Sequence, residues 1–432
     1  MIYYYRAFMK GADIITSMDY TTAKEYIQNL QGRGIVLGLD TVKQLLKKLG
    51  NPEKSVPVIH IAGTNGKGSV GAYLSSVIKE NGMKCARFVS PCVGEYQNTF
   101  LINGECVSKE VICDAANEVK SAIDEMENDG VYPTQFIAET ALAFVIFSRL
   151  MPDYAIIECG MGGKEDATNV VDLPVLSIIT KISLDHTRFL GNTITEIAEQ
   201  KAGIIKSNTP VVSAVQTDEV QNVIKRHCCN SELHIAENAT IISADFDRTT
   251  FQAYGNVYTT HMLGMYQPQN ASIAIQASRV LHIPENPIKK GIENAVWEYR
   301  CQRIGKFILD GAHNPDGAKA LADSLKIYTV PKDTAFICAC FKDKDYESIA
   351  SLTAQYADII YCISAPSNRG LDKDILCNAF KQYNSNSHTA SSLTDAIDKL
   401  TNYKNVVIFG TLSILSNAKE LIERSYNNAT LE

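Results

Sequence analysis

The stretch HIAGTNGKGSV, His60 to Val70, decides how this chain folds. An apolar run, Val58 to Ala62, enters a turn of small residues, Gly63, Thr64, Asn65 and Gly66. Lys67, Gly68 and Ser69 then open a segment that reads as helix through Ala72 to Ile78. Strand, glycine-rich turn and helix are the parts of a phosphate-binding loop. Backbone N–H groups and a helix N-terminus face the anion, a lysine reaches the outer phosphates, and a hydroxyl serves Mg2+. The spacing departs from GxxxxGK[ST]: no glycine stands at the first position, and Gly68 separates Lys67 from Ser69. A purely structural turn is the competing reading, and the lysine and serine together favour phosphate.

Outward from the loop, DTVKQLLKKL (Asp40–Leu49) has helical periodicity and GNPEKSVP breaks it. Beyond the loop, CARFVS ends at Ser90, YAIIE at Glu158, and VLSIITKIS runs towards Asp185 and His186. Apolar runs alternating with helical segments predict βαβ units and a parallel sheet, whose ligands sit at the carboxyl ends of the strands. If these strands are neighbours, the loop, Ser90, Glu158 and Asp185/His186 meet in one crevice. After Pro210 shorter alternating pieces such as TTFQAYGNVYTT predict antiparallel strands, and GMYQPQN precedes a helix expected from Asn270 to Ser278. The pattern lapses around Trp297 to Gln302, and KFILD, TAFICAC, DIIYCIS and NVVIFG begin a second series. The fold expected is α/β: a parallel-sheet domain carrying the phosphate loop over residues 19–297, then a smaller Rossmann-like α/β domain over 298–432. Residues 1–18 read as an N-terminal extension without the charged-then-apolar order of a signal peptide.

A chain of 432 residues exceeds what one core usually organises, which agrees with two domains. With 45% hydrophobic and 21% charged residues and no apolar run of membrane length, a soluble protein is expected. A net charge of -7 argues against nucleic acid or an anionic membrane as partner, so an anionic ligand needs a local basic pocket. The twelve cysteines form no CxxC pair, which favours reduced thiols in a cytoplasm over a disulfide framework. Without a strongly apolar interaction segment, a monomer is the expectation.

Several residues outside the loop carry chemistry. Glu158 ends an apolar strand before CGMGG, where a nucleotide-bound Mg2+ needs an acidic ligand, although a cap or surface role fits a lone glutamate equally. His186, in SLDHTRFLG, reads as a ligand or as a hydrogen-bonded structural histidine. Lys201 lies in TITEIAEQKAGIIK, whose Thr193 and Glu196 have capping-box spacing, and taken alone it reads as a solvated helix lysine. In LDGAHNPDG, Asp310 stands at a strand end, with His313 and Asn314 in a turn before a helix. Arg300 reads as a phosphate clamp or a surface arginine.

Taken in order, GIVLGLDTVKQLLKKLGNPEKSVPVIHIAGTNGKGS, ECGMGGKEDATN, LDHTRFLG, EQKAGIIK, YQPQNASIA, LDGAHNP and FKDKD resemble the folylpolyglutamate synthase/dihydrofolate synthase family of the Mur ligase superfamily, from about residue 19 onward. In that family a glycine after the loop lysine is normal. The resemblance implies a cytoplasmic two-domain ligase that uses ATP and Mg2+, with K+ or another monovalent cation as a further candidate. Its substrates would be ATP, L-glutamate and dihydropteroate or a reduced folate, joined through an acyl phosphate. It implies nucleotide contacts from Gly63, Thr64, Asn65, Gly66, Lys67, Gly68 and Ser69, and from Asn270, Arg300, Asp310 and His313. It implies metal ligation by Ser90, Glu158 and His186, with Lys67, His186 and Lys201 in catalysis and Lys201 carbamylated.

The chain departs from the family pattern on the acceptor side: Lys164-Glu165 in place of R-L, Phe136-Ile137 in place of F-E with Glu139 nearby, PCVGEYQNTF after Ser90, and Trp297-Glu298-Tyr299-Arg300 for W-P-G-R. A related ligase with a different acceptor is therefore the main alternative. A degenerate nucleotide-binding regulator is a second, opposed by the presence of Glu158, His186 and Lys201. A cell-wall Mur ligase is disfavoured because the loop begins near residue 63, leaving no room for a preceding UDP-binding domain.

Overall fold

The computed structural model describes residues 18–429, so the extension expected over 1–18 lies, Met18 apart, outside the described residues. Two compact units result, one of residues up to Val56 with Val107–Met151, the other of Pro57–Cys106 with the chain from Pro152 onward. The first is helical: Tyr20–Asn29, Asp40–Lys48, Lys109–Asn128 and Gln135–Leu150. Asp19, Ser108 and Thr134 cap three of these helices, their side-chain oxygens accepting from the N–H groups of Thr22, Val111 and Ile137. The helix expected from Asp40 forms, with Val42, Leu45 and Leu46 buried on one face.

The second unit holds every described strand. Eight of them, β1 (Val58–Ala62), β2 (Cys85–Phe88), β3 (Phe100–Ile102), β4 (Glu105–Cys106), β5 (Tyr154–Glu158), β6 (Leu176–Ile179), β7 (Val211–Ser213) and β8 (Leu233–Ile235), form one sheet in the order β4-β3-β2-β5-β1-β6-β7-β8. The strands from β2 to β8 in that order run parallel, and β3 and β4 add an antiparallel hairpin at the β2 edge. Helices cover both faces, which is why the central strands read as unbroken apolar runs. On one face Val70, Leu74 and Val77 of helix Lys67–Glu80 and Ile273 of helix Gln267–Val280 pack with Ile59, Ile61, Ile156 and Ile178. On the other, Ile197 and Ala198 of helix Ile194–Ala202 and Ile224 pack with Ala62 and Ile179.

An antiparallel sheet of β9 (Thr240–Ala244), β10 (Thr249–Ala253) and β11 (Asn256–Thr260) follows. The last sheet has the order β12-β13-β17-β14-β15-β16, from β12 (Gln302–Ile304), β13 (Phe307–Leu309), β14 (Thr334–Cys338), β15 (Ile359–Cys362), β16 (Ser387–Thr389) and β17 (Asn405–Phe409). All but β12 run parallel, with a buried apolar cluster on each face. The α/β architecture with a second, smaller α/β sheet is thus the one expected from the sequence.

Two details differ. Beyond Pro210, antiparallel pairing begins only at Thr240, because β7 and β8, short and joined through helix Asp218–His227, extend the parallel sheet. The helix expected from Asn270 starts at Gln267, since Pro268 in its first turn is preorganised for helix rather than breaking it. All twelve cysteines are free, and no described helix is long and apolar enough to cross a membrane.

Candidate active site

The sheet order places β2, β5, β1 and β6 side by side. The segments that follow their carboxyl ends all line one cavity of about 1040 Å3: Ser90 after β2, Glu158 ending β5, Gly63–Ser69 after β1, and Asp185 and His186 beyond β6. Lys201, Asn270, Arg300, Asp310 and His313 line the same cavity. Every site residue named from the sequence is therefore brought to one place. Of the departures, Cys92, Val93, Gly94 and Trp297 also line it, whereas Lys164 and Glu165 are exposed and lie outside its lining.

The loop is shaped by what surrounds it. At Gly63 the backbone has φ +152°, and a Cβ would lie 1.8 Å from Thr180 Oγ1, so no side chain fits. Thr180 Oγ1 donates to Asn65 O at 2.8 Å, and Thr64 Oγ1 donates to Ser183 O at 2.9 Å. Lys67 Nζ donates to Gly63 O at 2.9 Å, and Lys201 Nζ donates to the same carbonyl at 2.9 Å. Two ammonium groups thus share one acceptor. Burial, with Lys67 as the next contributor, pulls Lys201 from 10.5 down to about 7, and burial likewise lowers Lys67. The expected capping box is present: Thr193 Oγ1 accepts from Glu196 N, and Glu196 accepts from Thr193 N.

Asp310 is buried, its Oδ2 accepting from Tyr266 OH at 2.8 Å and Cys301 N at 2.7 Å, its Oδ1 from Ala312 N at 2.8 Å. Burial raises its carboxyl, with Arg300 the largest opposing influence. His313 Nδ1 donates to Gly311 O at 2.8 Å, and burial, then Lys344, hold the imidazole near 4, so it is neutral.

Asp185 joins the two sheets' loops. Its carboxylate accepts from Lys344 Nζ at 2.7 Å and Asn314 Nδ2 at 3.0 Å, with His313 Nε2 at 3.8 Å and His186 Nε2 at 4.0 Å. Burial pushes its carboxyl up, but Lys344, His186 and His313 outweigh that and hold it well below the usual carboxylate range. Burial lowers His186. Asn65 Nδ2 donates to Asp316 Oδ2 at 2.9 Å, so the phosphate loop itself touches the helix Pro315–Tyr328. The sequence reading put Asp185 at the crevice without its charge partners, and did not single out Lys344, Asp316 or Arg87. Asp185 and Lys344 stand inside stretches already noted, LDH and FKDKD. Arg87 is the lone charge in the apolar run CARFVS, which is the signal that could have found it.

For a divalent cation the donor chemistry fits. Among the described residues no three His, Cys, Asp or Glu side chains cluster as a ready metal site. Mg2+ takes few protein ligands where phosphate oxygens complete its shell. Glu158 uses Oε1 on Arg87 at 3.0 Å, and its second oxygen and the Ser90 hydroxyl are hard donors of the type this ion takes.

The comparisons agree with this geometry. The Mur ligase middle domain matches residues 61–278, and the Mur ligase glutamate ligase domain residues 298–412. A Bacillus subtilis dihydrofolate synthase/folylpolyglutamate synthase is 34% identical, across 82% of this chain and 88% of its own. A solved Mycobacterium tuberculosis folylpolyglutamate synthase complexed with ADP and AMPPCP superposes with a TM-score of 0.84 at 26% identity, across 94% of this chain and 99% of that one. An Escherichia coli FolC in complex with DHPP and ADP gives 0.82 at 25% identity, across 95% and 99%. Fold and site define an ATP-dependent, amide-forming ligase of the Mur type. Within that class the chain belongs to the dihydrofolate synthase/folylpolyglutamate synthase family.

Proposed function

We propose that this ligase joins L-glutamate to the carboxylate of dihydropteroate or of a reduced folate, acting as a cytoplasmic monomer with domains over 19–297 and 298–432. The observation that carries the reading is the convergence of four adjacent strand ends on one cavity that Arg300 and Asp310 also line. Relatives named for both glutamate additions, and a relative solved with DHPP and ADP, support the acceptor.

In this reading the N–H groups of Gly63–Ser69 and Lys67 hold the ATP phosphates. Arg300 meets phosphate charge, while Asn270, Asp310 and His313 position the nucleotide. Ser90, Glu158 and His186 would hold Mg2+, which when bound neutralises charge on the phosphate oxygens. The acceptor carboxylate attacks the γ-phosphorus and ADP leaves, giving an acyl phosphate. The glutamate amine then attacks the acyl carbon and phosphate departs. No side chain forms a covalent bond in either step, so the protein's work is placement and charge compensation. Lys201, with its amine largely neutral above pH 7, is suited to react with CO2, and the resulting carbamate would put an anion beside Lys67 where the neutral amine stood.

The test is ATP- and Mg2+-dependent incorporation of L-glutamate with dihydropteroate and tetrahydrofolate as parallel acceptors, read by product mass. Gain of one glutamyl residue on either acceptor supports the proposal. ATP binding with neither acceptor modified sinks it in favour of another carboxylate acceptor, the reading that residues Cys92–Gly94 in the cavity lining favour.

A further inference from the structure

Arg87 is 3% exposed on β2 and does not line the cavity. It pairs in register with Ile156 of β5, so Glu158, two residues on, shares its face of the sheet. Its Nη2 donates to Glu158 Oε1 and to Gly68 O, each at 3.0 Å. Its guanidinium carbon sits 4.4 Å from the ring centre of Trp297, the chain's single tryptophan. Its Nε is buried without a partner.

Stability does not account for this arrangement. A buried ion pair with an unsatisfied donor is at best neutral against a well-packed apolar side chain. What sets Arg87 apart is its neighbours, each a part of the site: Gly68 of the phosphate loop, Glu158, and Trp297 three residues before Arg300. The backbone makes room for the stack. A Cβ on Gly71 would lie 3.0 Å from both Arg87 Nη2 and Glu158 Oε1, and a Cβ on Gly68 would lie 2.6 Å from Trp297 Nε1.

We propose that Arg87 is a positioning residue that fixes the Glu158 carboxylate for Mg2+ and ties the segment carrying Arg300 to the metal side of the site through the Trp297 indole. The inference rests on Glu158 being a metal ligand. With Oε1 anchored on a rigid guanidinium fork, only the other oxygen is presented to the ion. The pair's near-zero net charge leaves little attraction for a bare cation, so metal binding depends on the phosphates arriving with it.

The test uses the full chain, AMPPCP as nucleotide, and Trp297 fluorescence with calorimetry as readouts, in the presence and absence of Mg2+. The factor by which Mg2+ strengthens AMPPCP binding is the quantity of interest. In Arg87→Leu the Mg2+ enhancement, taken relative to that variant's own metal-free AMPPCP affinity, is expected to fall about tenfold or more, the usual cost of losing a ligand's supporting partner. Arg87→Lys, which keeps the charge but not the fork, should lose part of the enhancement and covers the case in which the leucine variant does not fold. An enhancement unchanged within twofold in either folded variant overturns the proposal. Glu158→Gln separates the two layers: if it too retains the full enhancement, Glu158 is not a metal ligand and the underlying assignment fails. If Glu158→Gln loses the enhancement and the Arg87 variants do not, only the role of Arg87 is rejected.

Discussion

Replacing Lys201 with Met gives a stability difference that changes with pH in a calculable way. Lys201 is buried against Lys67, and its ammonium is pulled from 10.5 to about 7 on folding. Between those values the unfolded chain binds more protons at this position than the folded one, so wild-type stability rises with pH across the window. The cost of holding Lys201 in the fold is about 4 kcal/mol at pH 7 and about 2 kcal/mol at pH 9. Lys201→Met removes that cost and also removes the bond to Gly63 O. Packing and the lost bond shift the gap between the two proteins equally at every pH, so only the slope reports the ionisation. In CO2-free buffer, urea unfolding should show Lys201→Met losing about 2 kcal/mol of relative advantage from pH 7 to pH 9. Bicarbonate should then stabilise the wild type and leave the variant unchanged, because only the neutral amine forms a carbamate. A gap flat within about 0.5 kcal/mol over that range would refute the reasoning, since Lys201 would then titrate as a solvated lysine.

Gly63→Ala forces a methyl against Thr180 in a backbone conformation that disfavours it, and nucleotide affinity by calorimetry should fall about tenfold or more, with a lower melting temperature. Lys67→Ala should abolish ATP turnover in a phosphate-release assay while the protein remains folded, and unchanged turnover would reject the placement of the phosphate site. Asp185→Asn leaves Lys344 buried without its counter-charge and should cost about 3 kcal/mol, to be checked by a double-mutant cycle with Lys344→Met. Because the Asp185 carboxyl is held below its ordinary value, its contribution is complete above about pH 4 and fades as pH falls further, so the wild-type and Asp185→Asn melting curves should converge in acid.

How far the sequence reached follows from which interactions are local. A strand, a glycine turn and a helix are written in consecutive residues, so the phosphate loop is visible at His60–Val70, and the apolar runs ending at Ser90, Glu158 and near Asp185 are visible in the same way. Their convergence is not local. It depends on the order β2-β5-β1-β6, which periodicity cannot supply, so the sequence leaves the crevice conditional on these strands being neighbours. The start of the parallel strands β7 and β8 was lost for a related reason: three-residue strands carry too little pattern to distinguish from hairpin pieces. The charge network around Asp185 lies further out of reach, because its partners Asn314 and Lys344 stand 129 and 159 residues away. A residue that acts through such distant partners leaves only one trace in the chain, a polar group where the local pattern asks for an apolar one. Arg87 in CARFVS is that trace. Its cost in burial is visible in the sequence, and its compensation by Glu158, Gly68 and Trp297 becomes visible only when the sheet is assembled.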